Sequence, residues 1–207
     1  MILAVDTSLG TAVALVDADG AGRSDAARAD ALGHAEVIGD LLVEALSAAG
    51  PGEITHVVAG MGPGPFTGLR IGIAAATAFA QGRDLPVIPV PSHLAPALTA
   101  IETEGVQGPF AVVTDARRRE VAITVFDGAD ADGIPQVVQQ TTLVPAVAAD
   151  LHLDGIRRID VATLSALDLA RVGARALAAG RTLATREPLY LRSPDVKLPG
   201  APKRVGL

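Results

Sequence analysis

Between residues 60 and 72 the chain reads Gly60-Met61-Gly62-Pro63-Gly64-Pro65-Phe66-Thr67-Gly68-Leu69-Arg70-Ile71-Gly72, a glycine–proline turn set between an apolar run at 54–59 and a helical pattern reaching Gln81. No other stretch restricts the fold as much. A strand, a glycine-rich turn and a helix start, in that order, gather unpaired backbone N–H groups at one point. That is a seat for an anion or for a partner's backbone. Two phosphate cradles are excluded: no Lys follows the glycines to reach a β/γ-phosphate, and Thr67 stands where the dinucleotide fingerprint needs its third glycine. Pro63 and Pro65 fix φ and withdraw two donors, so a stiff strand-to-helix connection is the competing reading.

The helix that follows is apolar almost all round. From 68 to 81 its only strongly polar side chains are Arg70, Thr77 and Gln81, the last two within about 20° of Arg70 on either side of a helical wheel. A stripe that narrow predicts burial over most of the circumference. Gly68, Gly72, Ala76 and Ala80 recur every four residues and form a ridge without bulk, where another helix could approach closely. At about 14 residues the segment is too short to span a membrane. Upstream, 35–48 reads as an amphipathic helix. Val37, Ile38, Leu41, Leu42, Ala45 and Leu46 lie on one side, and Glu36, Asp40, Glu44 and Ser47 on the other; Gly50-Pro51-Gly52 stops it.

The chain's 207 residues suffice for one large domain or two lobes. The core is aliphatic, because hydrophobic residues make up 49% and aromatics only 2%. With no Cys, disulfides and thiolate metal sites are excluded. The start, Met1-Ile2-Leu3-Ala4-Val5-Asp6, has no basic segment and is not read as a secretory signal. A cytoplasmic protein is expected. Charge is uneven: the last 27 residues, from Arg181 on, carry +4, against −10 on the other 180. An acidic body does not attract a polyanion by itself, and the basic tail (Lys197, Lys203, Arg204) could touch phosphate or stay solvated.

Strands are expected at 2–5, 11–17 and on to about 28, then at 54–59, 86–90, 109–114, 120–126 and 136–142, with a further helix at 165–179 and an extended end from Pro188. The pattern repeats once: a strand pair holds an Asp at its turn at residue 6 and again at 115. Two related α/β lobes with acids facing a cleft follow from that. Asp6 could orient a metal-bound water or simply bond its own turn, and the same two readings apply to Asp115. His34, just ahead of a helix, is read as a cap. Ser8 or Thr67 as a nucleophile would need a base that the pattern does not supply. Arg117-Arg118-Arg119 suits a phosphate or carboxylate, or bare solvent.

Several motifs in order resemble the TsaB (YeaZ) family, the dimerisation subunit of the bacterial machinery for threonylcarbamoyladenosine in tRNA. These are ILAVDTS at 2–8, His34-Ala35-Glu36, GPGPFTGLRIG at 62–72, Asp115-Ala116-Arg117 and Pro188-Leu189-Tyr190-Leu191-Arg192. Pro65 departs from the family's usual Ser, and 129–158 matches weakly. The resemblance implies an actin-like, ASKHA (ribonuclease H-like) α/β fold of two lobes. The N-terminal lobe covers 1–98. A smaller lobe with the basic tail covers 99–207, its helix at 165–180 packing back on the first lobe. In active members the two turns cradle nucleotide phosphates and a divalent ion, which makes Asp6, Thr7, Ser8 and Asp115 a vestigial nucleotide site. Gly62, Gly64, Phe66, Thr67 and Arg70 form the family loop. The catalytic sister, TsaD, carries a His-x-x-x-His metal pair where this chain has His93 and Ala97, with Pro96 expected to break the helix. A lone imidazole is a poor metal site, so no metal and no catalytic residue are expected.

The implied function is a non-catalytic scaffold for transfer of the threonylcarbamoyl group from its adenylate to N6 of the adenosine beside the anticodon. Its partners are TsaD as a heterodimer, the ATPase TsaE, and a second copy in isolation, with no membrane. No cofactor is required by the chain itself, and ATP or ADP and Mg²⁺ enter at the level of the complex. The interface would use Val37, Ile38, Leu41, Leu42 and Leu46 from one helix. The other helix would give Gly68, Leu69, Gly72, Ile73, Ala76 and Ala80. The alternative is an enzyme of the same superfamily, a metal-dependent phosphotransferase or peptidase.

Overall fold

The computed structural model describes residues 1–29 and 33–192. The basic tail residues Lys197, Lys203 and Arg204 lie outside the described residues. Strands β1 (Ile2–Asp6), β2 (Thr11–Val16) and β3 (Gly22–Arg28) form an antiparallel meander. Helix α1 (His34–Ala49) returns the chain to β4 (His56–Gly60), which pairs parallel with β1. Helix α2 (Phe66–Gln81) then leads to β5 (Val87–Val90), parallel to β4. The sheet order is β3-β2-β1-β4-β5.

The same layout recurs. After α3 (Leu94–Glu102), strands β6 (Pro109–Asp115), β7 (Glu120–Ala129) and β8 (Pro135–Pro145) form a second meander. A 3₁₀ turn and α4 (Ala149–Leu153) precede β9 (Arg157–Asp160), parallel to β6, in the order β8-β7-β6-β9. Helix α5 (Ala166–Ala178) follows. Two meanders, each with a parallel strand added beside its first strand, make a mixed α/β actin-like fold.

The central strands carry near-continuous apolar runs because both faces of the first sheet are covered. Leu3, Val5, Val13, Leu15, Val57 and Ala59 face α1 and α2. Ile2, Ala4, Val16 and Val58 face the opposite way, into a core shared with α3, α5 and the inner side chains Phe110, Val112 and Phe126 of the second sheet. The lobes therefore share one core. Helix α5 lies on the first sheet so closely that a Cβ on Gly173 would sit 2.3 Å from Val58 Cγ2. It starts on Ser165, whose Oγ accepts the Asp168 N–H at 3.1 Å. Asp168 in turn takes hydrogen bonds from Thr99 of α3 at 2.5 Å and Arg171 at 2.8 Å.

Three sequence readings need correction. Pro96 does not break a helix: α3 starts at Leu94, and its first turn has no intrahelical acceptor for the N–H that proline lacks. His34 does not cap α1. The cap position is Gly33, and the buried imidazole turns inward, where its Nδ1 shares a 2.8 Å hydrogen bond with Thr11 Oγ1. The small-residue ridge is not presented to a partner. Gly68, Leu69, Gly72, Ala76 and Ala80 are all buried within the chain, as are Ile38 and Leu41 of α1. Of the residues expected at the interface, Val37, Leu42, Leu46 and Ile73 remain partly exposed.

Candidate functional site

The Asp6-Thr7-Ser8 turn joins β1 to β2, and all three side chains are buried, with at most 3% exposed. Asp6 Oδ1 accepts the Ser8 N–H at 2.7 Å and the Ser8 hydroxyl at 2.5 Å, while Oδ2 accepts the Ser92 hydroxyl at 2.6 Å. Ser92 Oγ accepts from the Gly62 N–H at 2.9 Å, which ties the glycine loop into the same network. Thr7 Oγ1 donates to the Gly68 carbonyl at 2.7 Å. Burial pushes the Asp6 carboxyl above its ordinary value, against the hydrogen bonds from Ser8 and Ser92 that pull it down.

The glycines explain why this turn is so tightly held. A Cβ on Gly60 would lie 1.8 Å from Asp6 Oδ2, and one on Gly64 would lie 2.8 Å from Ser8 Cα. On Gly68 it would meet the Thr7 carbonyl oxygen at 2.9 Å, and on Gly72 Thr7 Oγ1 at 2.1 Å. Four glycines at a spacing of four leave room for the first turn to lie against them. The backbone that the glycine loop was expected to seat is the chain's own. With its carboxylate and hydroxyls already engaged, the first turn has little left to offer a phosphate or a metal.

The rest of the loop faces a cleft between the lobes. Pro63, Gly64, Pro65 and Phe66 border a cavity of about 510 Å³ whose far wall includes Thr114, Asp115, Arg117 and Arg118. Phe66 meets Tyr190 with ring centroids 4.5 Å apart, and the Arg70 guanidinium lies 3.8 Å from the centre of the Phe66 ring. Arg70 Nε also donates to the Tyr190 hydroxyl at 3.1 Å. Thr67 is exposed on the first turn of α2. The segment carrying Tyr190 strides across the cleft: the Leu189 N–H donates to the Met61 carbonyl at 2.8 Å, and Arg192 pairs with Glu120 and with the Arg117 carbonyl.

Asp115 occupies the turn of the second lobe, and its environment differs. It is exposed, and its Oδ1 accepts the Arg117 N–H at 2.9 Å. Arg117, Arg118 and Arg119 all have positive φ (65°, 55° and 62°), a conformation that costs about 1–2 kcal/mol per L-residue. Asp6 and Asp115 thus sit at matching turns, but only Asp115 reaches the cleft. Among the described residues no group of three His, Cys, Asp or Glu side chains is placed to hold a metal, and no helix is long and apolar enough to cross a membrane.

His93 is 2% exposed. Its Nδ1 shares a hydrogen bond with Thr124 Oγ1 at 2.7 Å and its Nε2 one with Thr114 Oγ1 at 3.0 Å. Burial lowers its pKa to about 3, so the ring is neutral at physiological pH. The sequence reading missed Ser92 and the threonine cage, and had Tyr190 only as part of a family motif. One signal was present, since Thr114 and Thr124 sit in apolar strands at the inward-facing positions beside Val112 and Phe126.

The paired sheets, their two Asp-bearing turns and the cleft between them define a two-lobed protein of the actin-like class. The sequence matches the family description "TsaD: tRNA N6-adenosine threonylcarbamoyltransferase" over residues 28–178. An uncharacterised protein of Mycobacterium tuberculosis is 36% identical over 183 residues, covering 81% of this chain and 79% of its own length. The tRNA threonylcarbamoyladenosine biosynthesis protein TsaB of Haemophilus influenzae is 38% identical over 90 residues, or 42% of this chain and 38% of that protein. YeaZ from Pseudomonas aeruginosa superposes with a TM-score of 0.72 at 24% identity, covering 92% of this chain and 99% of that one, which bears on the fold alone. The chain belongs to the family of that description, whose model spans residues 28–178, and its fold is that of YeaZ.

Proposed function

We propose that the chain is a non-catalytic scaffold subunit that pairs with TsaD through α1 and α2. Through that pairing it supports transfer of the threonylcarbamoyl group from its adenylate to N6 of the adenosine beside the anticodon. The observation that carries this reading is how the two helices divide their surfaces. Their inner sides are spent on the chain's own sheet. Their outer sides leave apolar residues uncovered beside the exposed Asp40, Glu44 and Arg70: Val43 is 65% exposed, Ala74 and Ala78 are exposed, and Leu42, Leu46, Ile73 and Phe79 are half-buried. Isolated surface hydrophobes are ordinary, but a contiguous patch on two adjacent helices marks an association surface. The saturated Asp6 turn and the caged His93 support the non-catalytic part.

On this reading TsaE and tRNA meet the chain within the complex, a second copy covers the patch when TsaD is absent, and nucleotide and Mg²⁺ are handled by the partners in the cytoplasm. The test is reconstitution. Purified TsaD, TsaE, ATP, Mg²⁺ and tRNA should yield modified tRNA only when this chain is added. The chain alone should hydrolyse no ATP above background. Metal-dependent hydrolysis that disappears in Asp6→Asn would favour the phosphotransferase or peptidase reading instead.

A further inference from the structure

A second cavity, of about 710 Å³, reaches His93 between β7, β8 and the segment at 181–190. It is lined by Thr124, Phe126, Ile134, Gln140, Thr141 and Leu183 among others. Arg181, the one cation lining it among the described residues, is engaged by Asp130 at 2.6 Å and Asp132 at 2.8 Å. The polar feature that reaches inward from it is a continuous chain of hydroxyls and imidazole. Thr141 Oγ1 lies 2.8 Å from Thr124 Oγ1, which lies 2.7 Å from His93 Nδ1, and His93 Nε2 lies 3.0 Å from Thr114 Oγ1. Thr114 lines the interlobe cleft and Thr141 the second cavity. The chain therefore runs from one cavity to the other.

A neutral imidazole has one N–H and one lone pair, and each hydroxyl has one proton. Only two arrangements satisfy every link. With the proton on Nδ1, Thr114 donates to Nε2, His93 donates to Thr124, Thr124 donates to Thr141, and the free proton points into the second cavity from Thr141. With the proton on Nε2, each bond reverses, and the free proton points into the cleft from Thr114. We propose that this chain couples the two cavities, so that a hydrogen-bond donor is offered to an oxygen-bearing ligand at one of them at a time. A carbonyl, carboxylate or phosphate oxygen bound at Thr114 holds His93 in the Nε2–H form and withdraws the donor from Thr141. A ligand oxygen bound at Thr141 does the reverse. Burial keeps the ring in its single-proton form, which the coupling requires.

The test needs no ligand. In full-length protein labelled with ¹⁵N-histidine, the two ring nitrogens report the tautomer directly. Thr141→Val leaves the Thr124 proton only Nδ1 as acceptor, so His93 should shift to the Nε2–H form. Thr114→Val leaves Nε2 without a partner, and a buried orphan donor is worse tolerated than a buried orphan acceptor. His93 should then shift to the Nδ1–H form. Each shift should be at least about tenfold in the tautomer ratio, in opposite directions, and Thr141→Ser should restore the wild-type ratio. Valine is close to threonine in shape, and far-UV circular dichroism checks that each variant is folded. Tautomer ratios that stay at the wild-type value in both valine variants, or that move the same way, overturn the coupling. So does a His93 that takes up a second proton near pH 6.

Discussion

The two Asp-bearing turns start from the same local chemistry and end in opposite states. In each, the aspartate at a strand end accepts the backbone N–H two residues on, at 2.7 Å from Ser8 and at 2.9 Å from Arg117. The first turn is then closed by four glycines, spread over the end of β4, the loop and the start of α2, and by Ser92, until the carboxylate has no open side. The second is followed by three arginines in left-handed conformation and stays open to the cleft. The first turn has become part of the core, and the second remains a surface feature. An acid at the end of a strand is thus not enough to identify a site. What decides is whether the opposite loop brings glycines up to it.

The largest effects should come from opening the first turn. Gly72→Ala forces a Cβ to 2.1 Å from Thr7 Oγ1, and Asp6→Ala strips the acceptor from three buried donors. Each should cost at least about 3 kcal/mol in urea denaturation. A loss under about 1 kcal/mol for either would mean that the turn is not closed as described.

An effect of intermediate size concerns His93. Its folded pKa of about 3 lies below the ordinary 6.5, so the unfolded chain takes up the proton first. Stability should therefore fall as pH drops through 6.5 toward 3, by about 2 kcal/mol at pH 5. His93→Gln should flatten that part of the stability–pH curve, and an unchanged slope would contradict the burial argument.

The smallest effects belong to the second turn. Asp115→Ala removes one exposed hydrogen bond and should cost no more than about 1 kcal/mol. Arg117→Gly relieves a φ of 65°, and should be neutral or stabilising by up to about 1 kcal/mol, because glycine's extra freedom in the unfolded chain offsets part of the relief. The two turns thus respond to glycine in opposite senses: removing it breaks the first, and adding it suits the second.

Much of this was legible in the sequence. The alternation of strands, the stop at Gly50-Pro51-Gly52 and the paired Asp turns give the two-lobed layout, because periodicity and breakers are local signals. The four-residue spacing of glycines and alanines on α2 signalled a close approach but not its object. A wheel shows which side is small, whereas tertiary topology decides what lies against it. Here that is Thr7 and β1, not a partner helix. The threonines around His93 were hidden for a related reason. Residues 93, 114, 124 and 141 meet only after the second meander folds over α3, and no spacing in the chain encodes that meeting.

The central claim is that the outer side of α1 and α2, not the buried ridge, carries the partner. The most direct measurement is size-exclusion co-elution with TsaD for the wild type and for Ala78→Glu, an exposed position on α2, with circular dichroism on both. Ala76→Glu, at a position 0% exposed, should simply unfold the chain. The account predicts that wild type co-elutes and that Ala78→Glu stays folded but elutes apart from TsaD. A folded Ala78→Glu that co-elutes as wild type does would contradict it.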